Sequence, residues 1–158
     1  GKRVAVTGGG VIGAEICRQV AAAGGGAILL IENAELALYD CVRAMRADFP
    51  GVTFDARLCD IRDRAHLDSL FRDFQPELVF HTAALRHEGT IRQQLGTALS
   101  INLGGTINVA DAAIAAGAGT MVHVSTDRAT RSSSAMGATK RLAELYLELV
   151  ASRPVAPR

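Results

Sequence analysis

The chain has 158 residues, 49% apolar and 21% charged, and its 17 Lys and Arg against 16 Asp and Glu leave a formal charge of +1. That is the size and apolar content of one soluble domain, and a balance so near neutrality excludes a chain-wide field for nucleic acid or an anionic membrane, although six basic groups face three acidic ones from Asp127 onward. The longest uncharged stretches, Gln19–Ile31 and Ala112–Thr126, are broken by glycine and fall short of the ~20 apolar residues of a membrane span.

Apolar runs of strand length alternate with longer segments of helical period. In chain order the strands are expected at Arg3–Thr7, Ala27–Ile31, Thr53–Leu58, Leu78–Thr82 and Thr120–Ser125. The helices are expected at Ile12–Ala23, Glu35–Phe49, Arg64–Phe74, Gln94–Ala116 and Ala135–Ala151. Breakers fall between them: Gly24-Gly25-Gly26, Pro50-Gly51, Gln75-Pro76 and Gly117. A run such as Ile28-Leu29-Leu30-Ile31 is apolar on both faces, as in a parallel strand covered by helices on each side. The expected fold is therefore an α/β, three-layer, doubly wound parallel sheet of Rossmann type, with βα repeated five times. Residues 1–151 form its one domain, and 152–158 read as a tail or the start of a linker.

The start of the chain, Gly1-Lys2-Arg3 before Val4-Ala5-Val6-Thr7, is too short in its apolar part for a signal peptide. Cys17, Cys41 and Cys59 are odd in number and lack Cys-x-x-Cys or Cys/His spacing, so no disulfide framework and no metal site are expected, and the expected compartment is the reducing cytoplasm.

Gly8-x-Gly10-x-x-Gly13 directly follows the first strand and opens the first helix. Glycines there allow a tight turn, close approach of backbone amides to a pyrophosphate and a helix start lying near the sheet, while the helix N-terminus favours phosphate charge. Glu32 ends the second strand 19 residues after Gly13, where a carboxylate accepts the ribose hydroxyls of NAD and repels the 2′-phosphate of NADP; it is otherwise a strand-end surface charge. Asp60, after the third strand, suits an adenine edge or a helix cap, although Asp63 is better placed to cap Arg64–Phe74. Ala83 and Ala84 leave room for a cofactor or serve helix packing. Gly104-Gly105 implies close approach to the sheet or to a partner.

Several motifs join the glycine loop: Glu32-Asn33-Ala34-Glu35-Leu36, Cys59-Asp60-Ile61-Arg62-Asp63, His81-Thr82-Ala83-Ala84, Asn102-Leu103-Gly104-Gly105-Thr106, Ser125-Thr126-Asp127 and Met136-Gly137-Ala138-Thr139-Lys140-Arg141. Together they resemble the short-chain dehydrogenase/reductase superfamily, and within it the CapD-type nucleotide-sugar 4,6-dehydratases of bacterial polysaccharide biosynthesis. The resemblance implies NAD as cofactor and a nucleotide sugar, usually UDP-N-acetylglucosamine, as substrate. It implies a cofactor cradle of Gly8, Gly10, Val11, Ile12, Gly13, Glu32, Asn33, Asp60, Ile61, Ala83, Ala84, Leu85, Ser125 and Lys140. Thr126 would hold the sugar C4 hydroxyl, Asp127 would be the acid toward the C6 oxygen, and Lys140 would bind the nicotinamide ribose. The superfamily tyrosine four residues before that lysine is Met136, as in part of the CapD-type group.

Other positions depart from the pattern. Arg128 stands where the family has a lysine, the candidate C5 base, and a guanidinium is a poor proton acceptor. Arg86 replaces a second lysine, Glu88-Gly89 replaces a Val-Pro pair, and the glycine loop is one residue short. Family members continue past the fifth helix into a further strand and a sugar-nucleotide lobe, and larger ones carry membrane helices ahead of this domain. The expectation is thus the cofactor-binding part of such a dehydratase, inactive alone. The alternative is a non-catalytic dinucleotide-binding module acting through association, with the fourth and fifth helices able to pair as a homo-oligomer. Met136 and His123 otherwise read as core packing, His81 as a strand end, His66 as a surface residue and His87 as a residue of the sugar side.

Overall fold

All five expected strands are present in the computed structural model, which describes residues 1–130 and 134–152. They are β1 (Arg3–Thr7), β2 (Ala27–Glu32), β3 (Thr53–Leu58), β4 (Leu78–His81) and β5 (Thr120–His123). All pair in parallel, in the order β3-β2-β1-β4-β5. The helices are α1 (Val11–Ala22), α2 (Glu35–Asp48), α3 (Arg64–Phe74), α4 (Glu88–Gln93), α5 (Leu95–Leu99), α6 (Thr106–Ala115) and α7 (Ala135–Ala151). Each crossover between parallel strands carries its helix to a face of the sheet, and the strand order reverses between β1 and β4. The connections that leave the C-terminal ends of those two paired strands run to opposite faces of the sheet and open a crevice, the place where open α/β sheets bind ligands.

Strand alternation divides the core into two layers. Ala5, Leu29, Ile31 and Val79 face Leu67 and Phe71 of α3 and Val109, Ala112 and Ala113 of α6. Val4, Val6, Ile28 and Leu30 face Cys17 and Ala21 of α1 and Cys41 and Met45 of α2. With Leu29 and Phe71 almost wholly buried, each contributes roughly 1.5–3 kcal/mol of transfer free energy, so a charge at Leu29 would break the sheet's attachment to α3. The caps follow the expected chemistry: Asp63 Oδ1 accepts from the His66 amide at 3.1 Å and starts α3, and Gln75 ends it in the left-handed region at φ 53° before Pro76.

The segment expected as one helix, Gln94–Ala116, is built otherwise. A short α4 precedes it, Gln94 breaks the path at φ −133° and ψ 54°, and Ser100–Gly105 form a π-helical turn between α5 and α6. A π-turn inserts a residue into the helical register, and here Asn102 sits inside it, fully buried. Strands β4 and β5 stop at His81 and His123, short of the expected Thr82 and Ser125, because the chain leaves the ladder there to line the crevice. The expected tail falls mostly on residues 153–158, outside the described residues. No helix among the described residues is long and apolar enough to cross a membrane.

Candidate functional site

The glycine loop closes onto its surroundings at two points and is open at a third. Gly8 has φ +92°, and a Cβ there would lie 2.7 Å from the Ala83 nitrogen, so only glycine lets the β1 turn rest on the chain after β4. A Cβ on Gly13 would lie 1.7 Å from the Gly8 carbonyl oxygen, so the first turn of α1 sits directly on the loop. A Cβ on Gly10 would meet nothing within 4 Å. No side chain caps the amides of α1, whose first residues Val11 and Ile12 are exposed.

These residues border a cleft of about 460 Å³ at the crevice between β1 and β4. Glu32 stands at one end: its Oε1 accepts from the Asn33 and Ala34 amides, both at 2.8 Å, and its Oε2 from the Gly9 amide, which fixes the carboxylate between β2 and the loop. Asp60 lies alongside, with Arg62 donating to it from its amide at 2.9 Å and from Nη2 at 2.6 Å, and the guanidinium holds that carboxyl below its usual range. Ile61 is buried against α6; a Cβ on Gly105 would lie 2.3 Å from its Cδ1, so the close approach expected of Gly104-Gly105 is made within the chain at Gly105.

The opposite wall comes from the segment after β4 and from α7. Ala83, Ala84 and Leu85 line it, and Leu85 is clamped by Asn102, whose Oδ1 accepts from the Leu85 amide at 2.7 Å while Nδ2 donates to the Leu85 carbonyl at 2.9 Å. Lys140 is only 5% exposed; Nζ donates to the Val124 carbonyl at 2.9 Å, and burial depresses its pKa to about 8. Ser125 and Thr126 line the same wall, Ser125 donating to Glu144 Oε1 and Thr126 Oγ1 to Asp127 Oδ1 at 3.1 Å. Met136 reaches the cleft from a small cluster with Ile91 and Ala98.

Of the sequence-derived candidates, the fold therefore brings Gly8, Gly10, Val11, Ile12, Gly13, Glu32, Asn33, Asp60, Ile61, Ala83, Ala84, Leu85, Ser125, Thr126, Met136 and Lys140 around one cleft. Asp127 and Arg128 do not line it; both are exposed on the short 3₁₀ turn Asp127–Thr130. Sequence reasoning missed Ile31, Cys59, Thr82, Arg86, Ile101 and Val124 in the lining, and the clamp at Asn102. It also missed Glu88, whose carboxylate accepts from the Ala135 and Met136 amides, both at 3.2 Å, and caps α7 from outside; the departure at Glu88-Gly89 was its signal.

Behind Lys140 lie two stacked histidines, His81 and His123, with ring centroids 5.2 Å apart. Thr106 Oγ1 donates to the Asn102 carbonyl, so His81 Nε2–H donates to Thr106 and Nδ1 accepts from Thr7 Oγ1 at 2.6 Å. Burial holds His81 neutral and pushes His123 down to about 4. Lys140 thus stands near uncharged neighbours on that side.

A family model described as Polysaccharide biosynthesis protein matches residues 4–156. The probable polysaccharide biosynthesis protein EpsC of Bacillus subtilis is 36% identical over 149 residues, and the capsular polysaccharide biosynthesis protein CapD of Staphylococcus aureus 33% over 149; each alignment covers 93% of this chain and 25% of the relative. Among solved structures, the Thermus thermophilus UDP-glucose 4-epimerase in complex with NAD is 27% identical, with a TM-score of 0.79, over 94% of this chain and 50% of the epimerase. The chain thus spans a quarter of those curated relatives and half of that structure.

Proposed function

We propose, from the premise that this chain belongs to the Polysaccharide biosynthesis protein family, that it is the NAD-binding domain of a nucleotide-sugar 4,6-dehydratase, with UDP-N-acetylglucosamine the substrate class to test first. The observation that carries this reading is the cleft itself: glycine-lined at Gly10, with a carboxylate at Glu32 and a buried amine at Lys140 on its far wall. The open side of Gly10 and the uncapped start of α1 suit a pyrophosphate, and Glu32 suits a ribose diol. When bound, NAD would supply a reversible hydride acceptor. Lys140, desolvated yet still cationic at pH 7, would hold the nicotinamide-ribose hydroxyls and steady negative charge on the reacting oxygen. Thr126, in the cleft lining, would orient the C4 hydroxyl, and Asp127, exposed beside it outside that lining, would have to reach the departing C6 oxygen from the mouth of the cleft to give it a proton.

The chain covers a quarter of its curated relatives, so the rest of the sugar nucleotide's contacts belong to the whole protein. The first test is calorimetric titration of this chain with NAD and, separately, with UDP-N-acetylglucosamine: NAD binding at micromolar strength and no measurable sugar-nucleotide binding is expected. Absence of NAD binding overturns the assignment. A second reading, a dinucleotide-binding module without turnover, is favoured by Arg128, whose guanidinium cannot accept the C5 proton at neutral pH. The whole protein incubated with NAD and UDP-N-acetylglucosamine separates the two. Formation of the 4-keto-6-deoxy sugar nucleotide supports the dehydratase, and its formation only after Arg128→Lys supports the module.

A further inference from the structure

We propose that Cys17 and Cys41 are a peroxide-reactive dithiol that closes into a reversible disulfide across α1 and α2. The two residues are 24 positions apart and separated by β2, yet the fold places both in the apolar layer with Val4, Ile28 and Met45. Their thiols interact directly, and Cys41 also lines a groove of about 580 Å³ between the two helices. Small residues on both sides, Gly10 and Ala14 from α1 and its loop and Ala37 and Ala44 from α2, admit a small oxidant to its sulfur while the floor remains buried. Cys59, the third cysteine, lies in the other core layer.

The two sulfurs differ in reactivity. Cys17 is fully buried and does not line the groove, whereas Cys41 does, so the Cys41 sulfur is the one a peroxide reaches first and is the nucleophile of the pair; the contact with Cys17 also lowers its pKa. Burial and the nearby Asp63 and Asp60 push Cys59 up to about 11, so that thiol stays protonated and slow. The Cys41 thiolate attacks one oxygen of hydrogen peroxide; the O–O bond breaks, a sulfenic acid forms, and the released hydroxide takes a proton as water. The Cys17 sulfur then attacks the Cys41 sulfur, the S–O bond breaks, and the departing hydroxide leaves as water with the Cys17 proton. Two thiols and one peroxide become one disulfide and two waters, the two electrons passing to the peroxide oxygens. The bridge would tie together the two helices that flank Glu32 and the glycine loop. Closing such a loop is expected to raise Tm by about 5–10 °C.

The reduced 158-residue chain is treated with one equivalent of hydrogen peroxide and followed by intact mass, peptide mapping and thermal melting. The expected result is loss of two hydrogens, a Cys17–Cys41 linked peptide, one thiol still open to alkylation at Cys59, and a raised Tm that dithiothreitol reverses. Cys59→Ala should behave as the wild type, and Cys41→Ala should show neither link nor rise. Oxygen added to Cys41 without a link, a link through Cys59, a disulfide-linked dimer, or three alkylatable thiols with an unchanged Tm would each overturn the proposal. The wild-type mass decides it even where a variant fails to fold.

Discussion

Replacing Lys140 by methionine is expected to stabilise the fold at pH 7 while weakening the dinucleotide site. The ammonium is 5% exposed, and burial lowers its pKa from 10.5 to about 8. That gap corresponds to about 3 kcal/mol of destabilisation wherever the group is charged in both folded and unfolded chains. The sign follows from proton counting: below about 8 both states hold the proton and the cost is fully present, whereas between about 8 and 10.5 the unfolded chain holds more protons and stability rises with pH. Methionine removes the charge and keeps the apolar stem, but it leaves the Val124 carbonyl without its 2.9 Å donor, which costs about 1 kcal/mol. The net gain at pH 7 is therefore about 2 kcal/mol, or roughly 4–8 °C in Tm for a domain of this size. Thermal melts at pH 7 and pH 10 for both proteins supply the test, with NAD titration alongside. The gain should shrink at pH 10, and NAD affinity should fall at least several-fold. A variant less stable than wild type at pH 7, with the same pH slope, would refute the desolvation argument.

Three further outcomes are expected. Gly10→Val should abolish NAD binding and leave Tm within a few degrees, because its Cβ meets no protein atom, whereas Gly13→Ala should lower both, because its Cβ would lie 1.7 Å from the Gly8 oxygen; circular dichroism melts and calorimetry distinguish them. Glu32→Ser should narrow an NAD-over-NADP preference of about tenfold or more, read from paired titrations; equal affinities in the wild type would remove the role given to this carboxylate. Asn102→Ala should cost about 2–4 kcal/mol in denaturant unfolding, since Leu85 and Thr139 lose buried hydrogen bonds; a smaller loss would mean that water replaces the amide.

The alternation of two periods was enough to determine five parallel strands and four of the five expected helices, because a strand such as Ile28–Ile31 is apolar on both faces only when both faces are covered. The glycine loop and Glu32 were legible for the same kind of reason: turn geometry and a strand-end carboxylate are local, and the strand–loop–helix context is carried by neighbouring residues. Local patterning could not decide what depends on contacts between distant residues. The break at Gln94 and the π-turn around Asn102 exist because the amide reaches back to Leu85 and across to Thr139, 17 and 37 residues away. Glu88 caps a helix that begins 47 residues later. The desolvation of Lys140 and the meeting of Cys17 with Cys41 likewise follow from how α7 settles against the chain that leaves β5 and how α1 lies against α2. A residue's charge state and its reach are set by what surrounds it, and for these residues the surroundings come from other parts of the chain.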